Sequence, residues 1–97
     1  MHIGVCHITL RLPENHSLKG KRQVVKSLTA RLQNQFNVSA AEVDENDVWQ
    51  IAGIGVCCVS NTAAHADQMI AAVIGFIERT RPDLELIEYE TEVISAL

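Results

Sequence analysis

Residues 38–60 read VSAAEVDENDVWQIAGIGVCCVS. Two strand-like runs, 38–44 and 49–60, flank Glu45-Asn46-Asp47, a polar loop of hairpin length, so the middle of the chain is expected to be a β-hairpin with Trp49 beginning its second strand. Upstream, Ser17 is a good N-cap for a helix running to about residue 35. Leu18, Val24, Val25, Leu28, Leu32 and Phe36 fall within one arc about 120° wide on a 3.6-residue wheel. Before that helix, Gly4, Cys6, Ile8, Leu10 and Leu12 alternate with Ile3, Val5, His7, Thr9 and Arg11, the period of a strand with one face in a core.

Downstream of the hairpin, Asn61 or Thr62 caps a second helix whose apolar stripe is Ala66, Met69, Ile70, Val73, Ile74 and Ile77. Arg81-Pro82-Asp83 breaks it, and a last strand over 84–94 sets Ile87, Tyr89, Thr91 and Val93 against Glu88, Glu90 and Glu92. The order βαββαβ is the split-βαβ pattern of ferredoxin-like α+β domains. Right-handed crossovers then predict a four-stranded antiparallel sheet in the order 4-1-3-2, with both helices on one face and residues 1–97 as a single domain.

Hydrophobic residues make up 47% of the chain and charged residues 21%, which argues against disorder. The four aromatics leave the core to aliphatic side chains. No apolar run approaches the ~18 residues of a membrane span, and the N-terminus lacks a secretory-signal pattern. A cytoplasmic location without a membrane partner is therefore expected. Cys6, Cys57 and Cys58 then read as free thiols.

The net charge of −4 hides an uneven map. Residues 1–40 hold six basic residues and one acid, whereas residues 41–97 hold two basic residues and eleven acids. Local sign is what a partner meets. In the predicted topology the start of the first helix shares one end of the sheet with the hairpin turn. Lys19, Lys21 and Arg22 should therefore lie near Glu42, Asp44, Glu45 and Asp47, with at least one ion pair among them.

The segment His16-Ser17-Leu18-Lys19-Gly20-Lys21-Arg22 is the strongest functional signal. A helix start offers unpaired N–H groups and a partial positive charge, and added cations turn it into an anion-binding surface. Lys19, Arg22 and Lys26 share the outward side. Lys21 falls inside the apolar arc, where its stem would lie over the sheet and its ammonium reach the rim to pair with Glu42 or Asp44. Ser17, Lys19, Lys21, Arg22, Lys26 and Trp49 are the candidate RNA- or anion-binding residues. The competing reading is a solvated basic face balanced by the hairpin acids.

Other chemistries find less support. The four histidines and three cysteines show no CxxC or HxxxH spacing, so no metal site is expected. No GxSxG, P-loop or GxGxxG motif occurs, so neither catalytic residues nor a cofactor are assigned. The chain has the element order of an acylphosphatase, but residues 13–16 are not a Gly- and Arg-bearing phosphate cradle. An RNA-recognition motif needs stacking aromatics where this chain has His7, Thr9, Gly53 and Gly55. On the sheet face away from the helices, Arg11 is expected to pair across strands with Glu88. Ile3, Val5, Ile51 and Val59 would form an apolar strip there, suited to a homodimer.

Ser17-Leu18-Lys19-x-Lys21-Arg22, Phe36-Asn37-Val38, Ala41-Glu42-Val43, Val48-Trp49-Gln50 and Val59-Ser60-Asn61 resemble the YlxP-like family of small bacterial proteins. The resemblance implies a ferredoxin-like domain of unknown function without assigned catalytic residues. Because the family's genes often neighbour those of translation initiation factor two and ribosome-binding factor A, it also implies a role in ribosome maturation or translation. The expectation is a non-enzymatic accessory factor that binds ribosomal RNA or a ribosomal protein through the basic helix start. The alternative is a homodimeric structural or small-ligand module with no nucleic-acid role.

Overall fold

A computed structural model describes residues 1–44 and 47–97. The elements are β1 (His2–Arg11), α1 (Leu18–Gln35), β2 (Ser39–Asp44), β3 (Ile51–Ser60), α2 (Ala63–Thr80) and β4 (Glu85–Ser95). The strands form one antiparallel sheet in the order β2-β3-β1-β4, which is the predicted 4-1-3-2 read from the other edge. Both helices pack on one face, giving the ferredoxin-like α+β arrangement.

Alternation decides which side chains meet the helices. Cys6, Ile8 and Leu10 of β1 face the same way as Ala52, Ile54, Val56 and Cys58 of β3, and all seven are buried. Val25, Leu28 and Leu32 descend from α1, and Ala66, Ile70, Val73, Ile74 and Ile77 from α2, into one core cluster. Phe36 meets Phe76 edge-on at 5.5 Å, and the Arg31 guanidinium lies 5.4 Å from the Phe76 ring centre, closing the far end of the core. The caps follow from short polar side chains. Ser17 Oγ accepts the Gly20 N–H, and Thr62 Oγ1 accepts that of His65. Arg81 ends α2 and makes two hydrogen bonds to Asp83, which hold that carboxyl below its ordinary range.

Two expectations need correction. Trp49 does not begin β3. Among the described residues, strand pairing to β2 begins at Asp44 opposite Gly53 and pairing to β1 ends at Arg11 opposite Ile51, and Trp49 sits in a turn. Arg11 pairs with Glu85, not Glu88, at 2.7 Å. A bulge explains the shift: Leu10 lies opposite Leu86 and Thr9 opposite Glu88, which leaves Ile87 as the extra residue. Glu88, Glu90 and Glu92 do lie on the sheet face away from the helices, opposite Thr9, His7 and Val5.

Candidate functional site

The start of α1 is fastened to the loop that follows β2. Lys21, in the first turn, is 0% exposed. Its ammonium donates to the carbonyl oxygens of Val48 at 2.8 Å and Ile51 at 3.0 Å, and lies 3.1 Å from Glu42 Oε2. Glu42 Oε2 is itself buried and accepts no well-directed hydrogen bond among the described residues, so its contact with Lys21 is chiefly Coulombic. The sequence places Lys21 correctly in the apolar arc and names Glu42 as a partner. The ammonium is nevertheless sequestered instead of reaching the rim. The carbonyls of Val48 in the loop and Ile51 at the start of β3 supply the hydrogen bonds that make such burial tolerable.

Asn15 is a functional neighbour that sequence reading misses. Its side-chain amide donates to Ser17 O at 2.8 Å and also to Trp49 O, bridging the N-cap and the turn. Gln50 Nε2 reaches back to Asn15 O at 3.4 Å. Gly20 makes room for this bridge, since a Cβ at position 20 would run into Asn15 Oδ1. The only sequence signal was an amide residue two positions before a serine N-cap, a pattern that by itself reads as an ordinary turn.

The six candidate residues are thereby sorted. Ser17 is the cap and Lys21 the fastener. Trp49, tied through its backbone, is 49% exposed. Lys19, Arg22 and Lys26 are exposed on α1 and make no ion pair among the described residues. Among the described residues, the expected meeting of helix start and hairpin acids therefore occurs through Lys21 and Glu42. Asp44 turns to the other face, where its Oδ2 lies 2.7 Å from His7 Nε2. It crosses β3 above Gly53, where an added Cβ would crowd Asp44. Glu45 lies outside the described residues. The outward cations of α1 thus keep their charge unpaired by Glu42 or Asp44, and the turn that carries Trp49 is tied to the start of the same helix through Asn15 and Lys21.

The thiols divide by burial. Cys6 and Cys58 are in the core and Cys57 is exposed on the open face. Burial pushes the Cys6 thiol up to about 11. No helix among the described residues is long and apolar enough to cross a membrane.

Comparison with known proteins gives one family. Residues 3–91 match the model described as "Protein of unknown function (DUF503)". The chain is 37% identical over 90 residues to the "Uncharacterized protein YlxP" of Bacillus subtilis (strain 168), covering 93% of this chain and 97% of that one. Among solved structures, "De novo designed protein Foldit4" overlaps 98% of this chain and 99% of its own at 10% identity and a TM-score of 0.46, too loose a likeness to bear on function.

Proposed function

We propose, for a chain that belongs to the DUF503 family of proteins of unknown function, a non-enzymatic accessory role in ribosome maturation or translation, exercised by contacting RNA through the start of α1. Lys19, Arg22 and Lys26 contact phosphates, and the Trp49 ring stacks on an unpaired base. The observation that supports this reading is the buried Lys21 ammonium holding the Val48 and Ile51 carbonyls. With Asn15 it ties the turn of the exposed Trp49 to the start of a helix whose outward cations have no acidic partner among the described residues. Stacking aromatics beside a basic track are the common means of binding single-stranded nucleic acid. The net charge of −4 opposes loose binding to any polyanion, so the target is a shaped RNA and not generic sequence.

The test is sedimentation of cell lysate through a density gradient. Wild type travels with ribosomal subunits or their precursors, and a variant carrying Lys19→Glu, Arg22→Glu and Lys26→Glu stays at the top while remaining folded. Co-sedimentation of the reversed variant, or none by wild type, sinks the proposal.

A second reading has its own observation. Val59, Ile94 and Val43 are exposed on the sheet face away from the helices, at 63%, 41% and 46%, alongside Ile3 and Val5. That apolar strip would suit a homodimer with no RNA role. A Val59→Lys variant separates the two: it dissociates such a dimer and leaves ribosomal association unchanged.

A further inference from the structure

The edge of the sheet formed by β4 combines three features that the basic face of α1 does not involve. First, β4 pairs with β1 on one side only, and on its other side lies no strand among the described residues. From Glu88 to Ser95 the register is unbroken, about 25 Å of backbone at ~3.3 Å per residue. Second, Glu88, Glu90 and Glu92 point from one face of this edge at every other residue. Third, the opposite face borders a groove of about 400 Å³ between β4 and α2, floored by Ile70, Ala71, Ile74 and Tyr89 and flanked by Asp67 and Glu78.

An unpaired edge of this length is a template for an added strand. The charges decide what can be added. A second copy through β4 would set carboxylates against carboxylates across the new pair, and the molecule's other edge, β2, carries Asp44 on that same face. Both self-pairings are repelled. An extended peptide with a lysine or arginine at alternate positions meets the opposite condition. Its cations fall opposite Glu88, Glu90 and Glu92, and its intervening apolar side chains enter the groove beside Tyr89, whose rim acids add attraction.

We propose that the β4 edge is a docking site for an extended basic peptide, bound as a fifth strand with its apolar residues against α2. The site is acidic where the start of α1 is basic, so it serves a protein segment and not a nucleic acid.

The experiment titrates the full-length protein, labelled with nitrogen-15, with an eight-residue peptide of alternating lysine and valine. Amide shifts confined to β4 and the facing flank of α2 are expected. Replacing Glu88, Glu90 and Glu92 with Gln should weaken binding about tenfold, the effect of losing three cross-strand charge pairs. N-methylation of alternate peptide amides, which keeps every charge and removes the strand hydrogen bonds, should abolish the β4 shifts in one of its two phases. Ala71→Arg, an exposed substitution on α2, should block the groove without unfolding the protein. Indifference to N-methylation in both phases, or shifts scattered over the acidic surface, would show mere charge attraction and overturn the proposal. So would no binding, which leaves the acids only as protection against self-pairing.

Discussion

The Lys21 ammonium lies 3.1 Å from the Glu42 carboxylate with the whole lysine side chain withdrawn from solvent. The pair joins the first turn of α1 to β2, and the same nitrogen holds the carbonyls of Val48, in the loop after β2, and of Ile51, the first residue of β3. Such a group is costly to strip of one partner and nearly neutral to replace whole. Lys21→Met should therefore destabilise the protein by about 3–5 kcal/mol in urea unfolding, since it leaves Glu42 buried and two carbonyls without their donor. Adding Glu42→Leu should restore part of the loss but not the order of residues 47–51, read as amide exchange. A Lys21→Met protein within about 1 kcal/mol of wild type would show that the ammonium is not a fastener.

Gly20 gives a test whose sign runs against the usual expectation. Glycine inside a helix costs roughly 0.5–1 kcal/mol relative to alanine, so Gly20→Ala ought to stabilise. Here the new Cβ meets Asn15 Oδ1, and the amide that bridges Ser17 and Trp49 must move. Gly20→Ala should be net destabilising by about 1 kcal/mol, the order of one or two lost hydrogen bonds. In an Asn15→Ala background the same substitution should become stabilising. A stabilising Gly20→Ala in the wild-type background would mean that the Asn15 bridge contributes nothing.

These residues also mark where sequence reading stops. The order of elements and the identity of the core were legible, because periods of 2 and 3.6 alternate cleanly and each helix begins at a capping hydroxyl. Lys21 stood out as a cation in an apolar arc, and Glu42 followed from topology. Its carbonyl partners did not, because backbone groups carry no sequence signature. Trp49 read as strand because large apolar residues continue the alternation of β3. Nothing local reveals that the chain turns at Trp49 and joins the sheet only from Ile51. The Glu85 partner of Arg11 was recoverable in principle, since Leu86-Ile87 puts two apolar residues where strict alternation allows one, the trace of a bulge.

The cysteines provide a chemical check on the core. Cys57 should react with a thiol reagent in the native protein, while Cys6 and Cys58 react only on unfolding. The Cys6 thiol is raised from 9.0 to about 11 by burial, so the folded protein keeps the proton that the unfolded chain gives up. The stabilisation this provides is complete below pH 9 and is lost as pH rises toward 11. Wild-type stability should fall across that window, and a Cys6→Ala variant, less stable at neutral pH because of its cavity, should fall less steeply. Equal slopes for the two proteins would place Cys6 outside the core.

Charge and stacking at the start of α1 should separate in a binding measurement. Three phosphate contacts by Lys19, Arg22 and Lys26 predict that log K falls with log salt at a slope of about −2 to −3, from ~0.7–0.9 per neutralised phosphate. Replacing any one of the three with Gln should reduce the slope by about one and weaken binding across RNA sequences alike. Trp49→Ala should behave differently. It removes a stacked base, about 1–3 kcal/mol of affinity, and leaves the slope unchanged because no phosphate contact is lost. As the only tryptophan in the chain, Trp49 also reports its own engagement, so bound RNA should quench its fluorescence. Lys21→Met should lower affinity with an unchanged salt slope, as Trp49→Ala does, because Lys21 positions the turn and has no exposed charge to offer a phosphate. A Lys21 variant that shortens the slope by a full unit would make that lysine a direct contact and refute its assignment as the support of the site.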